Sequence, residues 1–327
     1  MQQRFFRAAL ASLTLACALP ATALAAEAAV KRVAVTAIVE HPALDAARDG
    51  VRDELKAAGY EVGKNLRFDY QSAQGNTGTA AQIARKYVGE RPDAIVAIAT
   101  PSAQAAVAAT RDIPVVFSAV TDPVAAKLVK SWEPAGGNVT GVSDASPLDK
   151  HVELVKRVRP DVKKLGVIYN PGEANSVAIV EALKKACAAA GLTLVEAAAP
   201  RTVDVPGAAQ SLVGKADVIY APTDNNVMSA FEGIVKVAQQ AKLPVVAADT
   251  DAVKRGAVAA LGLNYYDLGR QTGQLVVRVL KGEKPGAIAA QTSQRFELHV
   301  NPEAAQKQGV TLPEDLLKAA KQVVAQK

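Results

Sequence analysis

Aromatic residues are scarce in this chain. Phe, Trp and Tyr make up 4% of its 327 residues, with a single Trp at 132. That shortage excludes the stacked aromatic platform that single-stranded nucleic acid uses. Cysteine is scarcer still, with only Cys17 and Cys187, too few for a disulfide framework or a cysteine-based structural zinc site. The three histidines, His41, His151 and His299, lie more than 100 residues apart, and none has metal-ligand spacing to another. No Walker A or GxGxxG string occurs, so neither standard phosphate cradle is present. Gly141-Val142-Ser143-Asp144-Ala145 is not the GxSxG elbow of a hydrolase. Charge is not concentrated either. Lys plus Arg number 38 and Asp plus Glu 32, a net +6, yet no block of like charges appears. This mild basic balance argues against nucleic acid as a partner.

Apolar residues are abundant, at 50% of the chain. A sizeable core is therefore available, and the length suits one large or two medium domains. The first residues form a separate unit. Arg4 and Arg7 precede an apolar stretch from Ala8 to Leu19, Pro20 breaks it, and Ala23-Leu24-Ala25 supplies a small-x-small cleavage pattern. Such a stretch is too short to span a bilayer and suits an export signal. Residues 1–25 are thus expected to be a signal peptide, with the mature protein periplasmic. Lipoprotein processing at Cys17 is a rival reading, weakened by Thr14 where such signals usually carry Leu. No later apolar run approaches the ~18 residues that a spanning helix needs.

Beyond this point, strand-like and helical patterns alternate. Continuous apolar runs recur at 33–39, 94–99, 115–120, 165–169, 218–221, 244–248 and 257–263, as in strands covered on both faces. Between them Leu44, Val51, Leu55 and Ala58 share a helical face that Gly59 closes. Ile179, Leu183, Ala186, Cys187 and Ala190 share one that Gly191 closes, and Leu275, Val276, Val279 and Leu280 end at Gly282. The alternation predicts an α/β protein with parallel sheets. A weak repeat refines this. Asp93–Pro101 resembles Asp217–Asp224, and each is followed by a helix and a Pro-Val-Val strand, at Pro114 and Pro244. Two similar doubly wound, Rossmann-like lobes are expected, with a boundary near Gly141–Pro147. The first would hold residues 31–143 and 264–289, the second 144–263 and 290–327. The helix after Tyr265 would pack on the first lobe, the tail from Phe296 would return to the second, and the crossovers would form a hinge.

In open parallel sheets, ligands bind beyond the carboxyl ends of the strands. Those ends carry Glu40-His41, Thr100-Pro101-Ser102, Thr121-Asp122, Asn170 through Ser176, Thr223 through Asn226, and Asp249-Thr250-Asp251. Each residue has two readings. Ser, Thr, Asp and Asn cap helices, and they also contact ligands. Hydroxyls and helix N-termini can receive a carboxylate. Glu40, Asp122, Glu173, Asp224 or Asp249 could receive an ammonium group, and apolar neighbours such as Ala99, Val120 and Val142 leave room for a hydrophobic side chain. No Arg lies in these clusters, so no bidentate carboxylate clamp is visible. A sugar would want aromatic faces, which are few. His41 reads equally as a cleft residue or a capping one. His151 reads as a solvated helix residue, His299 precedes a turn at Asn301-Pro302, and Trp132 reads as a surface or packing residue.

Several longer strings point the same way: 38–45, 120–124, 137–143, 166–176, 222–225, 256–269 and 301–305. The most specific are Asn170-Pro-Gly-Glu173-Ala-Asn175-Ser176 and Asn138-Val-Thr-Gly141. From about Lys31 to Pro313 the chain resembles the ABC-transporter solute-binding proteins of the tryptophan/tyrosine-binding type. The resemblance implies a type I periplasmic-binding fold, with two lobes, a three-segment hinge and a ligand enclosed between them. It implies a small zwitterionic ligand, such as an aromatic or other hydrophobic amino acid. It further implies a permease partner in the inner membrane, a monomer, no cofactor, no metal and no catalysis. By motif, the ligand-binding positions are Glu40, His41, Thr100, Ser102, Asp122, Ser143, Glu173, Asn175, Ser176, Asp224, Asn225 and Asp249. Two other readings share these features. One is a periplasmic sensor that presents its ligand to a receptor. The other is an enzyme pairing Asp122 with Asp224 or Asp249. A repressor effector domain shares the fold, but the export signal and the missing helix-turn-helix argue against it.

Overall fold

The computed structural model describes residues 30–293 and 295–324. The expected signal peptide and Cys17 lie outside the described residues. Among the described residues, thirteen strands form two sheets. The first contains β1 (Lys31–Ala37), β2 (Leu66–Ser72), β3 (Ala94–Ile98), β4 (Val115–Ser118), β5 (Val139–Ser143) and β11 (Gln291–Thr292). The second contains β6 (Lys164–Tyr169), β7 (Thr193–Ala198), β8 (Val218–Ala221), β9 (Val245–Ala247), β10 (Ala259–Leu263), β12 (Phe296–Val300) and β13 (Gln322–Val323). Eleven α-helices among the described residues accompany them. Those of the first half are α1 (Pro42–Ala57), α2 (Thr77–Glu90) and α3 (Thr100–Ala109). In the second half come α4 (Leu148–Val158), α5 (Ala174–Ala189), α6 (Val205–Leu212), α7 (Asn225–Ser229) and α8 (Phe231–Ala241), then α9 (Tyr265–Leu280), α10 (Pro302–Lys307) and α11 (Glu314–Ala319).

The spatial order of the first sheet is β11-β5-β4-β3-β1-β2, parallel throughout. The second runs β13-β12-β10-β9-β8-β6-β7 and is parallel except where β12 meets β10. Stripped of the late strands, both reduce to one doubly wound order, 2-1-3-4-5. The weak sequence repeat is therefore a repeat of topology. In this order the chain switches direction between the first and third strands of each sheet, and a crevice opens there at the strand ends. β1 and β3 flank it in one lobe, β6 and β8 in the other.

The core strands are buried on both faces, as their unbroken apolar runs require: β3, β4, β5, β8 and β9 are buried at every residue. Gly59 (φ 90°) and Gly191 (φ 73°) follow α1 and α5 in the left-handed conformation that ends a helix cheaply. α9 returns to the first sheet. It packs along α1 and against β3, β4 and β5, while Leu268, Leu275 and Val276 join the first core. The α1–α9 approach is close. A Cβ at Gly50 would strike the Tyr266 carbonyl oxygen, and one at Gly269 would strike that of Ala47.

The chain passes between the sheets three times: from β5 to α4, from β10 to α9, and from β11 to β12. One expected boundary moves. Gln291 and Thr292 pair with Val142 and Ser143 of β5, so they belong to the first sheet and not to the second lobe. A two-residue strand has no apolar run by which sequence could have placed it.

Candidate functional site

The two lobes meet across their helices, where α3 of the first contacts α5 of the second. In the first lobe β3 ends at Ile98, and Ala99 turns the chain with a left-handed φ of 69°. Thr100 and Ser102 then open α3. Both are buried, and neither hydroxyl has a hydrogen-bond partner in the protein. Backbone strain of this kind persists where surrounding structure imposes it, often at functional sites. His41 ends the bend after β1. It is buried, its Nδ1 is unpaired, and burial and then the Arg255 charge push its pKa down to about 3, so it is neutral.

In the second lobe, Asp224 is fully buried and caps α7. One carboxylate oxygen accepts from Val227 N–H at 2.9 Å, the other from Asn170 N–H and Ser176 Oγ, each at 2.6 Å. It ties the loop after β6 to the helix after β8. Glu173 is similarly engaged, accepting from Nδ2 of Asn225 at 2.6 Å, Asn175 at 3.3 Å and Asn170 at 3.4 Å. Burial raises the pKa of both acids, and for Glu173 the nearby Asp224 charge adds to the rise. Asn175 donates from Nδ2, but its buried Oδ1 is unpaired. Asp249 follows β9. Its Oδ1 accepts from Asp251 N–H at 2.9 Å, while its buried Oδ2 has no partner. Burial first, then the Asp251 charge, raises its pKa to about 7.

Of the five acids considered for an ammonium group, Asp249 alone keeps a buried oxygen free. Glu40 is exposed at the rim, accepting from Gln74 Nε2 at 3.1 Å. Asp122 is half-buried and accepts from the N–H groups of Val124 and Ala125, closing a turn. Ser143 is also committed. Its hydroxyl donates to Thr121 O at 2.9 Å and accepts from Ala145 N–H at 3.0 Å, bracing the first crossover.

Two neighbouring cavities occupy the junction. His41, Ala43, Leu44, Asp144, Thr223, Met228, Asp249 and Tyr265 enclose one of about 10 Å³. The other, about 180 Å³, is walled by Ala145, Leu148, Ala178, Ile179, Ala182 and Ala248, with Thr121, Asp122, Ser146, Tyr220 and Thr223 completing it. Thr223 lines both, and both draw residues from both lobes. Sequence reasoning missed Asp144 and Tyr265. Asp144 is buried and accepts from Thr121 Oγ1 at 3.0 Å and from the Tyr265 hydroxyl at 2.8 Å, and burial raises its pKa. Both follow strand ends, β5 and β10, so the same rule extended to those two strands would have found them.

The histidines also needed correction. His151 is buried and hydrogen-bonded to Tyr220. It shares a helical face with Leu148, Val152 and Val155, which the solvated reading overlooked. No group of three or more His, Cys, Asp or Glu among the described residues could hold a metal ion.

Residues 32–324 match the family model for "ABC transporter substrate binding protein". The chain belongs to this family. Within it, a tyrosine-binding protein of Clostridioides difficile is 44% identical over 83% of this chain and 79% of its own length. A Streptococcus pneumoniae structure in complex with L-Trp is 37% identical, with a TM-score of 0.87 over 90% of this chain and 99% of that one. A ligand-free, open substrate binding protein with adhesive properties from Clostridium difficile is 42% identical, yet its TM-score is only 0.68 over 91% and 100%. Identity alone would rank these two structures the other way round. The overall structure of this substrate-binding protein thus superposes better on the L-Trp-bound relative than on the open one.

Proposed function

We propose that this protein is the periplasmic receptor of an ABC importer, that it closes around one aromatic amino acid and hands it unchanged to a membrane permease. The observation that carries this reading is the set of unpaired buried polar atoms. Thr100 Oγ1 and Ser102 Oγ come from one lobe, and Asn175 Oδ1 and Asp249 Oδ2 from the other. An unpaired buried polar atom costs about 1–3 kcal/mol, and a ligand that supplies its partner recovers that cost.

Their chemistry fits a zwitterion. The Thr100 and Ser102 hydroxyls, at the positive end of α3, receive the α-carboxylate. Asp249 receives the α-ammonium, with Asp144 on the same small cavity adding negative charge. The adjoining apolar cavity takes the side chain. The names of the similar proteins, one tyrosine-binding and one crystallised with L-Trp, support an aromatic side chain. Asp224, Glu173, Asn225 and Ser176 act behind the ligand. They lock the two helix N-termini of the second lobe together and are positioning residues. Ser143 does the same for the first crossover. Export follows from the signal sequence at 1–25, and closure by hinge motion accords with the three crossovers.

Isothermal titration calorimetry with L-tyrosine, L-tryptophan, L-phenylalanine, glucose and myo-inositol tests the reading. Saturable one-to-one binding of aromatic amino acids alone is expected. Binding of a sugar or polyol without any amino acid would overturn it.

A further inference from the structure

None of the roles above uses Tyr220 or His151. Tyr220 is the only aromatic residue lining the larger cavity, where its neighbours include Leu148, Ala178, Ile179 and Ala182. It is 1% exposed, and its hydroxyl is hydrogen-bonded to His151 Nδ1 at 2.5 Å. The two rings are tilted by 56°, with centroids 5.7 Å apart. His151 is equally buried, and its Nε2 has no partner in the protein. Burial lowers its pKa to about 4, so the imidazole is neutral and carries one N–H and one lone pair.

This pair is costly if it serves packing alone. A phenylalanine at 220 and an aliphatic residue at 151 would fill the space with no buried polar atoms. Its geometry also leaves something over. If Tyr220 supplies the bridging proton, its oxygen keeps a free lone pair. If His151 supplies it, Tyr220 keeps its own proton to donate. In both cases the phenol oxygen retains a further hydrogen-bonding position, which the alanine, leucine and isoleucine side chains of the cavity lining have no polar atom to fill.

We propose that Tyr220, positioned by His151, is the specificity-determining residue that reads a polar atom on the ligand's ring, so that the protein selects L-tyrosine over L-phenylalanine. The proposal rests on the reading of the cleft as an aromatic amino-acid site. A site built to hydrogen-bond a ligand hydroxyl rejects the analogue that lacks it, because the buried group is left unpaired.

Calorimetric titration of the full-length wild type and Tyr220→Phe with L-tyrosine and L-phenylalanine tests this, with melting temperatures recorded alongside. Wild type is expected to prefer tyrosine by at least about tenfold. Tyr220→Phe is expected to bring that ratio close to one, by weakening tyrosine and by removing the unpaired group that penalises phenylalanine. His151→Leu, which leaves the phenol in place but unsupported, is expected to lower the ratio several-fold. A general loss of packing would weaken both ligands together, so the ratio separates recognition from stability. An unchanged ratio in Tyr220→Phe, or a wild type that binds both ligands equally, overturns this proposal and leaves the amino-acid reading standing. A wild type that binds neither ligand overturns this proposal, and one that binds no L-tryptophan either removes the amino-acid reading as well.

Discussion

Asp249 bears the heaviest chemical load of any single residue in the site. It is a buried carboxylate with one oxygen engaged and one free, surrounded by neutral His41, by Asp144 with its Tyr265 partner, and by Asp251. Its folded-state pKa of about 7 lies above the ordinary aspartate value of about 3.9. The raised value means that its contribution to stability is full below the ordinary carboxylate pKa and is lost as pH rises towards and through 7. Asp249→Asn is therefore expected to melt above wild type at pH 8 and close to it only below about pH 4, which differential scanning calorimetry would show. Binding responds in the opposite sense. An ammonium group needs the ionised carboxylate, so wild-type affinity should rise between pH 5 and pH 7 and then level off. Asp249→Asn should flatten that profile and weaken binding roughly ten- to hundredfold at pH 8, as befits a lost charge-assisted hydrogen bond. A stable variant with unaltered affinity would remove Asp249 from the ammonium site. Nothing in the sequence separates Asp249 from Asp224, since each follows a strand and precedes a helical turn. The difference comes from remote groups, Asn170 N–H and Ser176 Oγ, which saturate Asp224 and have no counterpart at Asp249 Oδ2.

Helix ends and helix faces make the next level. The N-terminus of α3 combines two unpaired hydroxyls with the unpaired N–H groups of its first turn. Thr100→Ala with Ser102→Ala should cost about 2 kcal/mol or more of binding, at about 1 kcal/mol per hydrogen bond, with little loss of fold stability because neither hydroxyl has a protein partner. Titration with the aromatic amino acids checks this, and unchanged affinity would place the carboxylate elsewhere. The α1–α9 packing makes a different demand. Gly269→Val would drive a branched side chain into the Ala47 backbone and should destabilise the protein by about 1–3 kcal/mol. A thermal melt no lower than that of wild type would contradict the packing.

Central elements were legible in the sequence because parallel strands buried on both faces are uninterrupted apolar runs; β3, β8 and β9 show this. The edge strands were not. β2 reads Leu-Arg-Phe-Asp-Tyr-Gln-Ser and is mostly half-buried, while β7 alternates exposed and covered residues, so neither makes a continuous run. His151 was misread because helical spacing was not applied to α4. The strand-end rule pointed to the groups that cap these helices, but it could not say which of them had oxygens to spare.

On the scale of the whole molecule, the fold is one topology used twice, with three chain crossings between the sheets. Neither crevice alone has a complete set of groups for a zwitterion. The first offers hydroxyls and a helix end, the second a free carboxylate oxygen and an amide oxygen. In the proposed binding mode, closure adds contacts that one lobe cannot make, and that difference in affinity would let a ligand shift the population towards the closed form. The greater likeness to the L-Trp-bound relative than to the open one fits a cleft whose smaller cavity is nearly shut. The most direct test is a crystal structure of the protein grown with L-tyrosine or L-tryptophan. The α-ammonium is expected within hydrogen-bond distance of Asp249 Oδ2, the carboxylate on the Thr100 and Ser102 hydroxyls, and the ring between Leu148, Ile179 and Tyr220. An amino acid held by the groups of one lobe only, or bound outside the cleft, would contradict it.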